Sequence, residues 1–295
     1  MRVSRPPALP ALVTGARGFI GSAVTAALGP VATLSLGAAA WREAIRAAPF
    51  RDRVVVHLAA RTPGQPGRSA QYHEDNVDKS AELAMAAAQA GAARFVLMST
   101  AKVHGEESGP GGVSADSPGA PVDEYARSKW LAEQAVRDVA ERAGMPWVVL
   151  RPPLVYGRGA GGNFRALVRI ADSPLWLPLA SVRNRRSVLH VQDLADAVAV
   201  VAGHSAAAGR VYLPAHPQPV STAALVAEIR AVLGRPPRLV ALSSRKIDWL
   251  AGLVGLSARV KKLTGSFVVD PGPLERELSW AARFDLAAGL KEALS

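Results

Sequence analysis

Short apolar runs alternate with helix-like segments through the first half of this chain, and that alternation restricts its fold more than any other feature. ALVT (Ala11 to Thr14), VATLSL (Val31 to Leu36), RVVVHLAA (Arg53 to Ala60), RFVLMST (Arg94 to Thr100) and MPWVVLRPP (Met145 to Pro153) read as strands. Most are apolar at successive positions, as strands covered on both faces must be. Between them, AAWREAIRAA (Ala39 to Ala48), NVDKSAELAMAAAQAG ending at Gly91, and a stretch running to about Ala143 read as helices. Strand–helix alternation of this kind specifies an α/β fold with a doubly wound parallel sheet of Rossmann type. Past Gly157 the rhythm loosens. STAALVAEIRAVLG, capped by Ser221 or Thr222 and closed by Gly234, suggests a smaller, more helical C-terminal lobe.

Two local patterns carry chemistry. Gly15-x-x-Gly18-x-x-Gly21 lies between the first strand and the first helix. Glycines there allow a tight turn, let backbone N–H groups approach a pyrophosphate, and let helix pack on strand. The alternative is a glycine turn with no ligand. The spacing also differs from the Gly-x-Gly-x-x-Gly dinucleotide fingerprint. The second pattern is DEYARSKW (Asp123 to Trp130), which sets Tyr125 and Lys129 four residues apart on one helix face. Such a pair is either surface decoration or a proton-transfer pair, in which the ammonium lowers the phenol pKa.

Composition removes other classes. The 295 residues include no cysteine, which excludes disulfides and thiolate chemistry. The six histidines show no zinc-site spacing, so no metal centre is expected. The net charge of +11 comes from arginines spread along the chain, without a nucleic-acid-binding motif, and no nucleic-acid partner is expected. No run approaches the ~20 apolar residues of a membrane helix. IDWLAGLVGL (Ile247 to Leu256) is too short, and reads as a core or interfacial helix. Prolines in MRVSRPPALPALVTG stand where a signal peptide carries its apolar run, so the expected location is cytoplasmic.

TGARGFIG, VVHLAA, DNV, LMSTAKVHG, EYARSKW, LRPPLVYG and RSVLHVQDLADA occur in the order found in extended short-chain dehydrogenases/reductases. The chain resembles the nucleotide-sugar epimerase branch, that of UDP-glucose and UDP-N-acetylglucosamine 4-epimerases. PLASVRNRRSVLHVQDLADA and LTGSFVVD are similar to its polysaccharide-biosynthesis subgroup. The resemblance implies Tyr125 as general acid/base and Lys129 as its electrostatic partner and a ligand of the nicotinamide ribose. Thr100, rather than Ser99, would bridge sugar and tyrosine, and Asn76 would support the site. Gly15, Gly18, Phe19, Ile20, Gly21, Leu58, Ala59, Ala60, Lys129 and Pro152 would contact NAD or NADP. Asn163 and Arg186 would hold the diphosphate of a nucleotide sugar, UDP-linked in this branch. His190 and Asp193 would anchor backbone between lobes, and His57 and His104 would pack strand ends.

The expected dinucleotide-binding domain spans 1–157 and is completed by about 187–214. A substrate-binding lobe would comprise 158–186 and 215–295. A homodimer through the helices Asn76–Gln89 and Tyr125–Ala140 is also implied. The pattern breaks on the adenosine side. VATLSLGAAAW offers only Ser35 before Arg42, and Gly21 to Val54 is too short for the usual units, so one βα unit is missing or collapsed. VATLSL is then the second or the third strand, and Arg17 or Arg42 is the nearest charge for a 2′-phosphate. Three activities remain open. They are a 4-epimerase working through a transient 4-keto sugar, a 4-keto-sugar reductase, and a non-catalytic cofactor-binding or interaction protein.

Overall fold

A computed structural model describes residues 10–63, 69–243 and 257–295. Among these, a six-stranded parallel sheet runs in the order β2-β1-β3-β4-β5-β8. Its strands are β1 (Ala11–Thr14), β2 (Ala32–Leu34), β3 (Val54–His57), β4 (Arg94–Met98), β5 (Trp147–Leu150) and β8 (Arg210–Tyr212). The strand period of two deals their apolar residues to two cores. Val13, Val54, Val56, Val96, Val148 and Leu150 face one way. There they meet α1 (Phe19–Leu28) and α7 (Val191–Gly203). Leu12, Val55, Phe95, Leu97 and Val149 face the other way, onto α4 (Lys79–Gln89) and α5 (Glu124–Ala143). The sheet is therefore covered on both faces, which is why its strands lack polar alternation.

The shortened side has a definite form. β2 pairs directly with β1, Leu12 opposite Ala32 and Thr14 opposite Leu34, so VATLSL supplies the second strand and not the third. In the usual doubly wound order another strand lies beyond it; among the described residues the sheet ends there. The chain instead turns into the six-residue α2 (Trp41–Arg46), whose Trp41 and Ile45 are buried in the α4–α5 core. Lys79 of α4 donates to the Leu36 carbonyl at 3.0 Å, and Arg42 of α2 makes a two-pronged pair with Glu82 of α4.

The helix expected from Asn76 starts earlier. α3 (Ser69–His73) leads into a π-turn over Glu74–Asp78 and then into α4. A π-turn inserts a residue into the ladder, a feature common near functional sites; Asn76 and Val77 within it are buried.

The second lobe holds the parallel pair β6 (Leu154–Tyr156) and β7 (Val188–His190), with α6 (Gly162–Asp172) and α8 (Thr222–Val232). The helices α9 (Ser257–Thr264), α10 (Gly272–Leu278) and α11 (Leu286–Leu294) follow. Phe164, Leu167, Val188, Val226, Ile229 and Leu290 make its separate core. Ser221 caps α8, accepting from Ala224 N–H at 3.0 Å, and Gly234 takes the left-handed conformation after it. Among the described residues no helix is long and apolar enough to cross a membrane. Ile247–Leu256 lies outside the described residues.

Candidate active site

The glycine turn is set by close approach. At Gly15 (φ +70°) a Cβ would lie 2.7 Å from Ala59 N, and at Gly21 it would lie 2.0 Å from the Gly15 carbonyl oxygen. No side chain fits at either position. Gly18 begins α1 without a side-chain cap, which leaves the first-turn N–H groups of that helix without a side-chain acceptor among the described residues.

A directional hydrogen-bond chain stiffens the floor of this turn. Ser80 Oγ donates to the Asn76 carbonyl at 2.6 Å and so accepts from His57 Nε2–H at 2.8 Å. His57 Nδ1 is then the acceptor for Thr14 Oγ1–H at 2.7 Å. Thr14 Oγ1 in turn accepts from Leu58 and Ala59 N–H, both at 3.2 Å. Burial, with the Lys129 charge beside it, depresses the His57 pKa to about 3 and keeps the ring neutral. His57 is thus more than a packing residue: it orients the backbone of Leu58 and Ala59.

Thr100 and Tyr125 meet at the other end. Thr100 follows β4; its hydroxyl accepts from Lys102 N–H at 3.3 Å and lies close enough to the Tyr125 phenol to favour its ionised form. The neighbouring Ser99 points away, onto Glu133. Strand alternation separates the two hydroxyls. Tyr125 sits in the first turn of α5, which Asp123 caps by accepting from Ala126 N–H at 2.7 Å. Asn76 joins that helix to the floor. Its amide donates to Ser128 Oγ (2.8 Å) and the Arg61 carbonyl (3.1 Å), and its oxygen accepts from Arg61 N–H (2.7 Å). The Pro152 carbonyl accepts from Ala101 N–H at 2.9 Å and holds the Thr100 turn.

Lys129 is 2% exposed, and its ammonium has no hydrogen-bond partner among the described residues. Burial lowers its pKa to about 8 against the opposing pull of Glu133. The phenol behaves differently from the sequence expectation. Burial and the Asp123 carboxylate push Tyr125 up to about 12, and only the Thr100 hydroxyl opposes them.

Behind the pair lies a buried network that sequence reasoning missed. Arg151 and Glu133, 2% and 1% exposed, form a two-pronged ion pair with a closest approach of 2.6 Å. Arg151 also donates to His104 Nε2 at 3.0 Å and the Ala115 carbonyl at 3.2 Å. His104 Nδ1–H therefore donates to the Pro118 carbonyl at 3.2 Å. The network joins α5, the end of β5 and the loop over the site. Glu133 lies four residues after Lys129 on the inner face of α5, a spacing that could have flagged it.

On the lobe side, Arg186 is partly committed. Its Nη1 donates to the Lys262 and Gly265 carbonyls at 3.0 and 2.9 Å, with Glu106 and Glu107 close enough to act on its charge. Asn184 is the stronger clamp, donating to Thr222 Oγ1 and the Leu263 and Gly265 carbonyls, and the sequence reading did not single it out. Asn163 is exposed at the start of α6, without a hydrogen bond to these groups among the described residues. His190 pairs with Glu292 at 2.9 Å, and Asp193 accepts from Arg283 and Phe284 N–H, so both tie the C-terminal segment to α7 as expected.

These features fit a dinucleotide along the carboxyl edge of the sheet. They are a cradle that a Cβ would fill, an uncapped helix start and a buried ammonium lacking a hydrogen bond. Arg42 does not fit the role of 2′-phosphate contact, because Glu82 holds its guanidinium with nitrogen–oxygen distances of 2.9–3.1 Å. Arg17 is exposed beside the glycine turn.

Residues 35–213 match the model of the NAD dependent epimerase/dehydratase family. A UDP-glucose 4-epimerase of Vibrio cholerae is 32% identical over 245 residues, covering 81% of this chain and 75% of the relative. A short-chain dehydrogenase/reductase superfamily protein from Agrobacterium tumefaciens with bound NAD superposes with TM-score 0.76 at 22% identity. It covers 96% of this chain and 95% of its own. The dTDP-glucose 4,6-dehydratase DesIV of Streptomyces venezuelae, with NAD and TYD bound, gives TM-score 0.75 at 23% identity, with coverage of 96% and 95%. The match over more than half the chain, together with a relative above 30% identity over most of it, makes this protein a member of the NAD dependent epimerase/dehydratase family.

Proposed function

We propose that the chain is a nucleotide-sugar 4-epimerase that uses NAD or NADP and acts on a UDP-linked sugar. The observation that carries the reading is the grouping of Thr100, at the end of β4, with Tyr125 and the buried Lys129, one turn apart on α5. The Vibrio cholerae relative, named a UDP-glucose 4-epimerase, supports the substrate class.

Tyr125 removes the proton of the sugar 4-hydroxyl as that carbon loses hydride, leaving a 4-keto sugar. It returns the proton when hydride is delivered to the other face, so atoms and electrons balance over the cycle. The bound nicotinamide supplies the hydride acceptor and donor, and its oxidised ring brings the positive charge that favours phenolate. Thr100 positions the sugar oxygen against the phenol, and Lys129 holds the ribose and adds positive charge. Arg186, through the nitrogens it does not give to Lys262 and Gly265, is the diphosphate ligand, with Asn163 beside the sugar nucleotide. Exposed Met85 on α4 and Leu131 on α5 are consistent with a homodimer through those helices.

One observation favours a second reading. A phenol held near 12 is ready as an acid, which is the role it has in reducing a 4-keto sugar. The two are separated by following UDP-glucose and UDP-N-acetylglucosamine by proton NMR, with catalytic NAD+ and then with stoichiometric NADH or NADPH. Conversion to the 4-epimer without net cofactor change is expected, and Tyr125→Phe abolishes it. Consumption of reduced cofactor with a 4-keto sugar, and no epimerisation, would replace the epimerase by the reductase. No turnover in either assay would leave a binding protein.

A further inference from the structure

A surface cavity lies in the C-terminal lobe, away from the Tyr125 site. It measures about 390 Å³ and is lined by Arg230, Arg235, Arg238, Ser173, Pro174 and Pro236, with Asp172 at its edge. Arg235 pairs with Asp172 at 2.8 Å, and with Arg230 buried, Arg235 and Arg238 supply the accessible positive charge there. Beside it stand Leu175 and Trp176, 65% and 64% exposed, and Val240 at 39%. Large apolar side chains so exposed are uncommon on a monomer's surface, and a cluster of them bordered by cations needs a reason.

The exposure is built into rigid backbone. Leu177 N–H donates to the Arg238 carbonyl and Val240 N–H to the Leu177 carbonyl, both at 2.9 Å, and Ala180 N–H to the Val240 carbonyl at 3.1 Å. The two segments therefore run side by side. Leu177 and Leu239 turn inward to the lobe core, which leaves the flanking Trp176 and Val240 outside. Arg230, 1% exposed, staples both: it donates to the Ser173 and Leu175 carbonyls on one side and to those of Pro236 and Pro237 on the other. Its Nε, also buried, has no partner among the described residues. Arg238 adds a bond from Nη1 to the Pro174 carbonyl at 2.6 Å. A buried guanidinium stapling four carbonyls fixes an exposed Leu-Trp tip in place.

We infer that this face of the C-terminal lobe docks on an anionic lipid surface, with Leu175, Trp176 and Val240 entering the headgroup boundary and the arginine-lined cavity receiving lipid phosphates. The charge complementarity is local as well as global, since the chain carries a net +11. Arg183, exposed and bonded through Nη1 to the Ala180 carbonyl, widens the cationic rim. The inference concerns this surface alone and stands whichever sugar the Tyr125 site turns over.

The test is flotation of the full chain with vesicles of phosphatidylcholine, alone or mixed with phosphatidylglycerol, at low and high salt. Recovery with the mixed vesicles only, weakened by salt, is expected. Leu175→Ser/Trp176→Ser and, separately, Arg235→Gln/Arg238→Gln should each lower partitioning about tenfold. Acyl-brominated lipids should quench tryptophan emission in the native chain and quench less in Trp176→Phe, which keeps the apolar contact. Equal recovery with both vesicle types, or undiminished binding by Leu175→Ser/Trp176→Ser of native thermal stability, would overturn the inference. So would a lipid-free fall in sedimentation coefficient in that variant without vesicle binding, which would make the face a self-association surface.

Discussion

At the Tyr125 end of the sheet's carboxyl edge, side chains are over-determined; at the β2 end they are few and exposed. Thr100, Tyr125 and Lys129 stand on a backbone held by Asn76, His57 and the buried Arg151–Glu133 pair, each contact between elements distant in sequence. At β2 the strand has three residues, and the Arg42–Glu82 pair that ties α2 to α4 there has side chains 52% and 35% exposed. Groups that take part in proton transfer must be held to a fraction of an ångström. A nucleotide's far end needs only to be gripped, so losing a βα unit there leaves the chemistry intact.

The largest expected effect lies at the first end. Tyr125→Phe should lower turnover by about 10³-fold, within the usual span for a lost general acid/base, while leaving cofactor affinity nearly unchanged. A fall in affinity of similar size would show that the phenol acts mainly as a ligand.

Glu133→Ala comes next, because it strands the Arg151 guanidinium without a counter-charge in the interior. A loss of about 3–5 kcal/mol in urea unfolding is expected. A loss under about 1 kcal/mol would place the pair with ordinary surface bridges and remove the contrast between the two ends.

The buried histidine gives a pH dependence. His57 takes its proton only near 3 in the fold, whereas the free imidazole titrates near 6.5. The unfolded chain therefore protonates first, so its contribution to stability is complete above about pH 6.5 and falls as pH drops. The slope approaches about 1.4 kcal/mol per pH unit for this one proton. Denaturant titrations between about pH 5 and 6.5 should be flatter in His57→Gln than in the native chain. Equal slopes would show that the relay from Ser80 to Thr14 does not hold the ring neutral.

The smallest effect belongs to the β2 end. Arg42→Ala should leave unfolding stability nearly unchanged, as loss of an exposed pair does, and should not change the relative affinities for NAD+ and NADP+. A selective loss of NADP+ binding would return Arg42 to the cofactor site.

Much of this was legible in the chain because its signals are local. Apolar strand runs, glycines at Gly15 and Gly21, and the one-turn spacing of Tyr125 and Lys129 each depend on neighbours in sequence. The choice of Thr100 over Ser99 followed a motif offset, and strand alternation separates the two in the fold. What stayed hidden depends on partners far along the chain. Glu133 finds Arg151, Asn184 finds Gly265, and Lys79 reaches Leu36 only once the sheet is assembled. The direction of the Tyr125 shift was also beyond spacing. Spacing reports a neighbouring residue, while desolvation is a property of the folded surroundings.

The central claim, that a complete catalytic end and glycine cradle still hold a dinucleotide despite the shortened β2 side, is tested most directly by titration calorimetry. The protein, checked first for retained cofactor, is titrated with NAD+ and then with NADP+. Saturable binding of both is expected, with affinities within about tenfold of each other, since no charged side chain stands between the end of β2 and Trp41 to distinguish a 2′-hydroxyl from a 2′-phosphate. Absence of binding by either, with no cofactor retained, would contradict the claim and leave Thr100, Tyr125 and Lys129 without a reaction to perform.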